Sequence, residues 1–343
     1  MKALVLEEYK KLVYRDFPSP VPAPDEVLVQ VKACGICGSD IHGYDGSTGR
    51  RIPPVIMGHE ASGIIAATGE QVKNWKTGDR VTFDSTIYNP DDWYSRIGKY
   101  NISDGREVLG VSPGSYRRHG AFAEYVAVPE HILYKIPDNI SFEQAAMTEA
   151  AAVALHAINI SEISKDNSAA VTGTGMIGIF LVKLLRIKNI SPVIAIDIDQ
   201  KKLAKASLAG AHMVVNSTDN EIVEKIKLHT EGRGVDFSFE AAGKSETVNL
   251  AIDIARRGGT ITLVGNTSKQ ISFPLQKVVT SELRIQASCA ICGEYKAVLD
   301  YLASGELNVD DQISAVVPLS EGKEWFDRLY SGAGDFGKVI LIP

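Results

Sequence analysis

The sequence predicts an α/β chain in two parts: a doubly wound parallel sheet and a second, mostly β domain. Length is the first ground. At 343 residues the chain exceeds the roughly 250–300 residues that one hydrophobic core fills. Rhythm is the second. From about residue 150 onward, strand-like and helix-like segments alternate, the pattern of parallel βαβ units. Before that point, short apolar runs are separated by Gly and Pro clusters, which predicts an irregular barrel-like or sandwich-like domain.

The elements follow in order. Residues 27–31, 61–67 and 80–83 are apolar-rich strands, punctuated by residues 18–24, by Pro53-Pro54 and by Thr77-Gly78-Asp79. Residues 142–158 are Ala-rich and helical in propensity. Residues 168–172 form a buried strand, and residues 173–188 a helix with Ile177, Phe180, Leu181, Leu184 and Leu185 on one face. Strands at 193–196, 213–215, 235–239, 260–264 and 283–287 then alternate with helices at 201–209, 221–229 and 245–255. A helix at 294–303 follows, and a strand at 338–342 has no helix after it, so it is expected to rejoin the first domain. The expected division is 1–151 with 291–343, and 152–290.

Charge narrows the partners. Lys and Arg total 36 against 42 Asp and Glu, a net −6 that gives nucleic acid no bulk attraction. Arg50-Arg51 and Arg117-Arg118 are the local exceptions, each pair more simply explained as solvated surface charge. Apolar runs are strand-sized, far below the roughly 20 residues of a spanning helix, so no membrane partner is expected. Glu7-Glu8 interrupts the apolar start, and the four cysteines (34, 37, 289, 292) are too few for a disulfide scaffold. A cytoplasmic protein with reduced thiols is the expectation.

One motif sits where strand turns to helix: Gly173-Thr174-Gly175-Met176-Ile177-Gly178. In that context the glycines permit a tight turn and close approach of a pyrophosphate to the helix N-terminus. Asp197 ends the next strand, placed to accept hydrogen bonds from an adenosine ribose. Its charge would repel a 2′-phosphate, and Ile198 follows it instead of Arg, so NAD is expected over NADP. A second constellation lies upstream, Cys34-Gly35-Ile36-Cys37-Gly38-Ser39-Asp40-Ile41-His42 and then Gly58-His59-Glu60. Thiol, imidazole and carboxylate are zinc's ligands, but spacing alone leaves a buried Cys pair with a hydrogen-bonded His equally open.

The segments 34–42, 58–63, 77–81, 120–125 and 173–178, in this order along the whole chain, resemble the medium-chain, zinc-dependent alcohol and polyol dehydrogenases, and among them the sorbitol (L-iditol) dehydrogenase branch. The resemblance implies a Rossmann-type domain plus a GroES-like catalytic domain. It implies a zinc-dependent enzyme that passes a hydride from a secondary alcohol, a polyol or sugar alcohol, to NAD. Cys37 and His59 would be zinc ligands, Glu60 a ligand or near neighbour, and Glu149 a carboxylate bound directly or through water. Cys34 would lie near the metal without binding it. Ser39 and His42 would carry the released proton to solvent. Cys37, Glu60 and Glu149 together bring three formal negative charges against two on zinc, which predicts that Glu149 yields its place during turnover. The resemblance also implies a homotetramer or homodimer.

Departures from the family pattern matter as much. Ala150 replaces the proline that usually follows the carboxylate at 149, which loosens the backbone there. Asn89, Asp92, Ser95 and Ser103 stand where many members carry four thiols for a structural zinc, so one zinc per chain is expected, with the lobe held by Trp93, Tyr94 and Tyr100. Residues 287–291 lack the Arg-Tyr pair that holds polyol hydroxyls in animal enzymes. Cys289 and Cys292 could complete a four-cysteine site with Cys34 and Cys37, but buried or interface thiols are the simpler expectation. Of the histidines at 119, 131, 156, 212 and 229, only His119 is a candidate to reach substrate. Competing readings are a threonine-type amino alcohol or phosphorylated polyol as substrate, with an arginine pair gripping the anion, and a non-catalytic NAD-binding redox sensor.

Overall fold

The strand Glu26–Gly35 alternates buried and half-buried residues along most of its length, as a strand covered on one face should. It is the hub of a seven-stranded sheet. Antiparallel partners are Glu60–Thr68 on one side, and Tyr125–Pro129 and Lys338–Ile342 on the other. Register decides what meets at its end. Gly35 lies opposite Glu60 on one side and Ile340 on the other. A three-stranded sheet packs on the same core, where Leu4, Val27, Val29, Phe83, Phe122 and Phe326 are fully buried. The computed structural model describes residues 1–111, 118–334 and 336–343. Chain contacts divide it into Met1–Glu149 with Ile291–Pro343, and Ala150–Ala290. Among the described residues no helix is long and apolar enough to cross a membrane.

The second unit carries a six-stranded, all-parallel sheet. Its order runs Met213–Asn216, Val193–Asp197, Ala169–Thr172, Val235–Glu240, Ala255–Leu263, Arg284–Ala287. Order reverses around Ala169–Thr172, the central switch point at which doubly wound sheets bind ligands. Three predicted boundaries shift, each for a local reason. The helix expected from 173 begins at Met176, because Gly173 turns at φ +90° and Gly175 is the N-cap. The helix expected at 142–158 is two, Phe142–Ala146 and Thr148–Ser161, with Met147 as C-cap of the first. The strand expected at 260–264 begins at Ala255, directly after the helix Ser245–Ile254, and its pairing is irregular near Val235. The strands Lys2–Glu8, Lys11–Asp16 and Ile313–Pro318 and the helices Leu275–Thr280 and Gly322–Tyr330 were not foreseen.

The lobe expected to lack thiolate ligands is held mainly by one aromatic. Tyr100 stacks on Tyr88, with centroids 4.3 Å apart and planes at 17°. Its hydroxyl donates to Asp84 Oδ2 at 2.7 Å and accepts from the Gly293 amide at 2.7 Å. Cys292 donates its thiol to the Gly98 carbonyl at 3.1 Å, so this half-buried sulfur fastens the lobe. Asp92 caps the helix Trp93–Arg96, and Asn89 closes a turn on the Asp91 amide. The expectation for Trp93 is corrected. It is 64% exposed and rests edge-on against its neighbour Tyr94, so it is no buried anchor of the lobe.

Asp84 makes the lobe's attachment pH-dependent. Burial pushes its carboxyl up to about 6, outweighing the bonds from Thr86 and Tyr100 that lower it. The folded state therefore holds this proton more tightly than the unfolded chain, whose value is 3.8. The stability tied to the proton is full below the unfolded value and is lost as pH rises through the folded one. Asp84→Asn removes the titration. In urea melts, its stability relative to wild type should improve by about 2–3 kcal/mol between pH ~4 and pH ~7. A difference that stays flat with pH contradicts the assignment.

Candidate active site and metal centre

The site is built where the strand Glu26–Gly35 runs into the short helix Gly38–Tyr44. Cys37 is the N-cap of that helix. Its Sγ accepts from the Ser39 amide at 3.4 Å and the Ser39 hydroxyl at 3.2 Å. Asp40 completes the capping box by accepting from the Cys37 amide at 3.2 Å. The Cys37 thiol is thus fixed by the same bonds that start the helix.

Glu60 opens the neighbouring strand Glu60–Thr68, and His59 immediately precedes it. One donor atom each from Cys37, His59 and Glu60 lie within 4.8 Å of one another. His59 is buried, and its Nδ1 faces Asp40 Oδ1 at 3.5 Å. That is ion-pair range and long for a good hydrogen bond. Burial works against a charged imidazole here, yet Asp40 and Cys37 together hold its pKa well above the usual value. A dication bound beside Cys37 and Glu60 would offset the same kind of anionic groups. The donor chemistry of thiol, imidazole and carboxylate fits zinc.

Glu60 is buried and takes both carboxylate oxygens to the ammonium of Lys338, at 2.8 and 2.5 Å. Lys338 is itself 4% exposed and also donates to the Ile36 carbonyl at 3.2 Å. Burial disfavours its charge, but Glu60 outweighs this and raises its pKa. Gly35 makes the pairing possible, since a Cβ there would lie 2.4 Å from Glu60 Oε2 and 3.1 Å from the Lys338 side chain.

Glu149, in the first turn of Thr148–Ser161, falls outside the triplet. Its carboxyl is pushed up to about 7, by burial first and also by Glu60, against the pull of His59 and Lys338. Ser39 sits beside Cys37, but His42 is exposed. Among the described residues no hydrogen bond joins its imidazole to Ser39. Cys34 is fully buried next to the site, where burial pushes its thiol pKa far up. Cys289 and Cys292 are half-buried and take no part in the triplet.

In the other unit, Gly173, Gly175 and Gly178 form the turn into Met176–Ile187. A Cβ at Gly178 would lie 1.9 Å from the Gly173 carbonyl oxygen, so only glycine fits. Met176 and Ile177 are the helix's first two residues. Asp197 is 9% exposed and accepts from the Thr174 amide at 2.7 Å, the Thr174 hydroxyl at 3.1 Å and the Asp199 amide at 3.0 Å. It holds the glycine turn in place and keeps part of its acceptor capacity free.

The basic candidates are reassigned. Arg51 is no surface charge. It is 2% exposed and bound to Asp40 and Ser39. Arg118 is paired with Glu26, and Arg117 and Tyr116 lie outside the described residues. His119 Nδ1 accepts from the Ile56 amide at 3.2 Å, and its half-buried ring meets Phe17 edge-on, so its polar atom and ring are taken up in packing. Lys338 was missed as a site residue, Asp40 was named without a role, and Arg51 was offered only as a grip for an anionic substrate group. Only Asp40 had a signal, its capping-box spacing from Cys37.

Two protein-family models match the chain: "Alcohol dehydrogenase GroES-like domain" over residues 23–138 and "Zinc-binding dehydrogenase" over residues 176–304. The chain is 32% identical to D-xylulose reductase of Saccharomyces cerevisiae, covering 95% of this chain and 93% of that one. It is 29% identical to sorbitol dehydrogenase of Bacillus subtilis, over 100% and 97% of the two chains. Among solved structures, a Sinorhizobium meliloti protein bound to NADP superposes with a TM-score of 0.91 at 31% identity, over 100% of this chain and 99% of that one. The chain belongs to the medium-chain, zinc-binding alcohol dehydrogenase family. It is a zinc-dependent oxidoreductase of alcohols that uses a nicotinamide cofactor.

The buried ion pair can be tested directly. Lys338→Met leaves Glu60 buried without its counter-charge, which should cost about 3–5 kcal/mol in chemical denaturation. A loss below about 1 kcal/mol, the range of exposed pairs, contradicts the burial assigned to it.

Proposed function

We propose that this enzyme oxidises a secondary alcohol of the polyol or sugar-alcohol class, with NAD as acceptor and one zinc per chain held by Cys37, His59 and Glu60. The observation that carries the zinc assignment is the convergence of those three donors within 4.8 Å, backed by Asp40 behind His59. Support for the substrate class comes from the relatives named D-xylulose reductase and sorbitol dehydrogenase. Zinc, when bound, supplies the Lewis acidity that lowers the pKa of an alcohol beside it. The nicotinamide ring, when bound, accepts the hydride. Three protein donors leave the open position a catalytic site requires. Glu149, outside the triplet, serves as an exchangeable carboxylate that yields to water or substrate. Ser39 Oγ accepts the proton of the substrate hydroxyl as its own hydroxyl proton is released from Cys37 Sγ to solvent, where the exposed His42, three residues on in the same helix, takes it up.

The NAD preference rests on Asp197. Its carboxylate is anchored against the glycine turn, so a cofactor bound there meets fixed negative charge. A ribose hydroxyl can donate to it, whereas a 2′-phosphate is repelled. The lobe adds the one-zinc reading, because Asn89 and Asp92 are spent on a turn and a helix cap.

Metal analysis with a panel of polyols tests the whole reading. One zinc per chain and NADH formation on at least one polyol are expected, and Cys37→Ala or His59→Ala should nearly abolish both zinc and turnover while NADH still binds. Two tightly held zincs, or turnover surviving either substitution, would overturn it. For the cofactor, Asp197→Ala should erode the preference for NAD over NADP by about 1–3 kcal/mol in kcat/KM ratio. A wild-type enzyme equally active with both cofactors contradicts the role given to Asp197.

A further inference from the structure

Arg51 ranks with the largest fully buried side chains of the molecule. Burying a guanidinium costs several kcal/mol unless its charge is met. The helix Gly38–Tyr44 opens to admit it, since a Cβ at Gly43 would lie 2.5 Å from Arg51 Cδ. One nitrogen, Nη2, donates to Asp40 Oδ1 at 2.8 Å and to Ser39 Oγ at 3.1 Å. Each of those two groups touches a proposed zinc ligand. Asp40 faces His59 Nδ1 and accepts from the Cys37 amide, and Ser39 donates to Cys37 Sγ.

We propose that Arg51 is a positioning residue of the metal centre, one guanidinium that orients both the carboxylate behind His59 and the hydroxyl on Cys37. This rests on the assignment of Cys37 and His59 as ligands. Two arguments carry it. The first concerns direction. A guanidinium only donates, so the Ser39 oxygen that receives its N–H has its own single hydrogen left for the Cys37 sulfur. Without Arg51 the hydroxyl is free to rotate away. The second concerns charge. A metal-bound histidine is neutral, which would leave Asp40 a lone buried anion. Arg51 is the cation that remains in contact with it. Asp40 can then hold the ring in place, as outer partners of metal-bound histidines do.

The test uses the full-length enzyme, stripped of zinc and reloaded with either zinc or Co2+. Arg51→Lys keeps the charge and loses the planar fork, and Arg51→Met loses both. Zinc affinity, read by competition with a chelator, should fall about 10–100-fold in Arg51→Met and by less in Arg51→Lys. The thiolate-to-cobalt charge-transfer band should shift or weaken in both. In a Ser39→Ala/Asp40→Asn background, Arg51→Lys should lower zinc affinity no further, because its two partners are already gone. Unchanged affinity and an unshifted band in Arg51→Lys and Arg51→Met, or an equal loss in both backgrounds, overturn the proposal. If Arg51→Met does not fold, Arg51→Lys and the double background decide alone. Cys37→Ala separates this from the ligand assignment. A cobalt–thiolate band that survives Cys37→Ala refutes the ligand set itself, whereas a band lost there but untouched by Arg51 substitution refutes only the inference.

Discussion

The antiparallel register at Gly35 is the constraint on which the metal centre depends. With Gly35 opposite both Glu60 and Ile340, three distant stretches of chain are brought to one point. Cys37 follows two residues later, His59 precedes the neighbouring strand, and Lys338 begins the returning one. Strand side chains have a period of two. A slip of one residue would turn the Glu60 side chain to the other face of the sheet. The absent side chain at 35 then lets Glu60 and Lys338 close over the strand.

Charge around this point follows a simple logic. Cys37, Glu60, Asp40 and Glu149 can each carry a negative charge, and Lys338 and Arg51 carry fixed positive ones. Burial raises the Asp40 carboxyl, but His59 and Arg51 overcome it and hold the group well below the ordinary range. A dication closes the balance. The count from sequence, three carboxylate or thiolate charges against zinc's two, omitted Lys338, because its place beside Glu60 lies 278 residues away. Glu149 therefore meets less excess charge than the sequence implied.

The lobe from Asn89 to Ser103 is knit by side-chain contacts. Where thiolates would knit four points around an ion, Tyr100 joins three by stacking and two hydrogen bonds, and Cys292 adds a fourth. The cost is a buried carboxyl at Asp84 that resists ionisation.

The sequence by itself determined the parallel βαβ region, the glycine turn and the place of Asp197 at the end of the next strand, whereas Cys37, His59 and Glu60 were joined only by the family resemblance. The first signals are local: hydrophobic period and glycine spacing. The start of the glycine helix and the break at Met147 escaped it, because caps are decided by one or two dihedrals and not by period. Only the tertiary structure decided that Arg51 is interior and not a surface charge, that Lys338 faces Glu60, and that Tyr100 and not Trp93 secures the lobe. Each of these depends on contacts between residues far apart in sequence. A charged or aromatic side chain carries no mark in the sequence of which partner will desolvate it, and burial beside that partner sets its role.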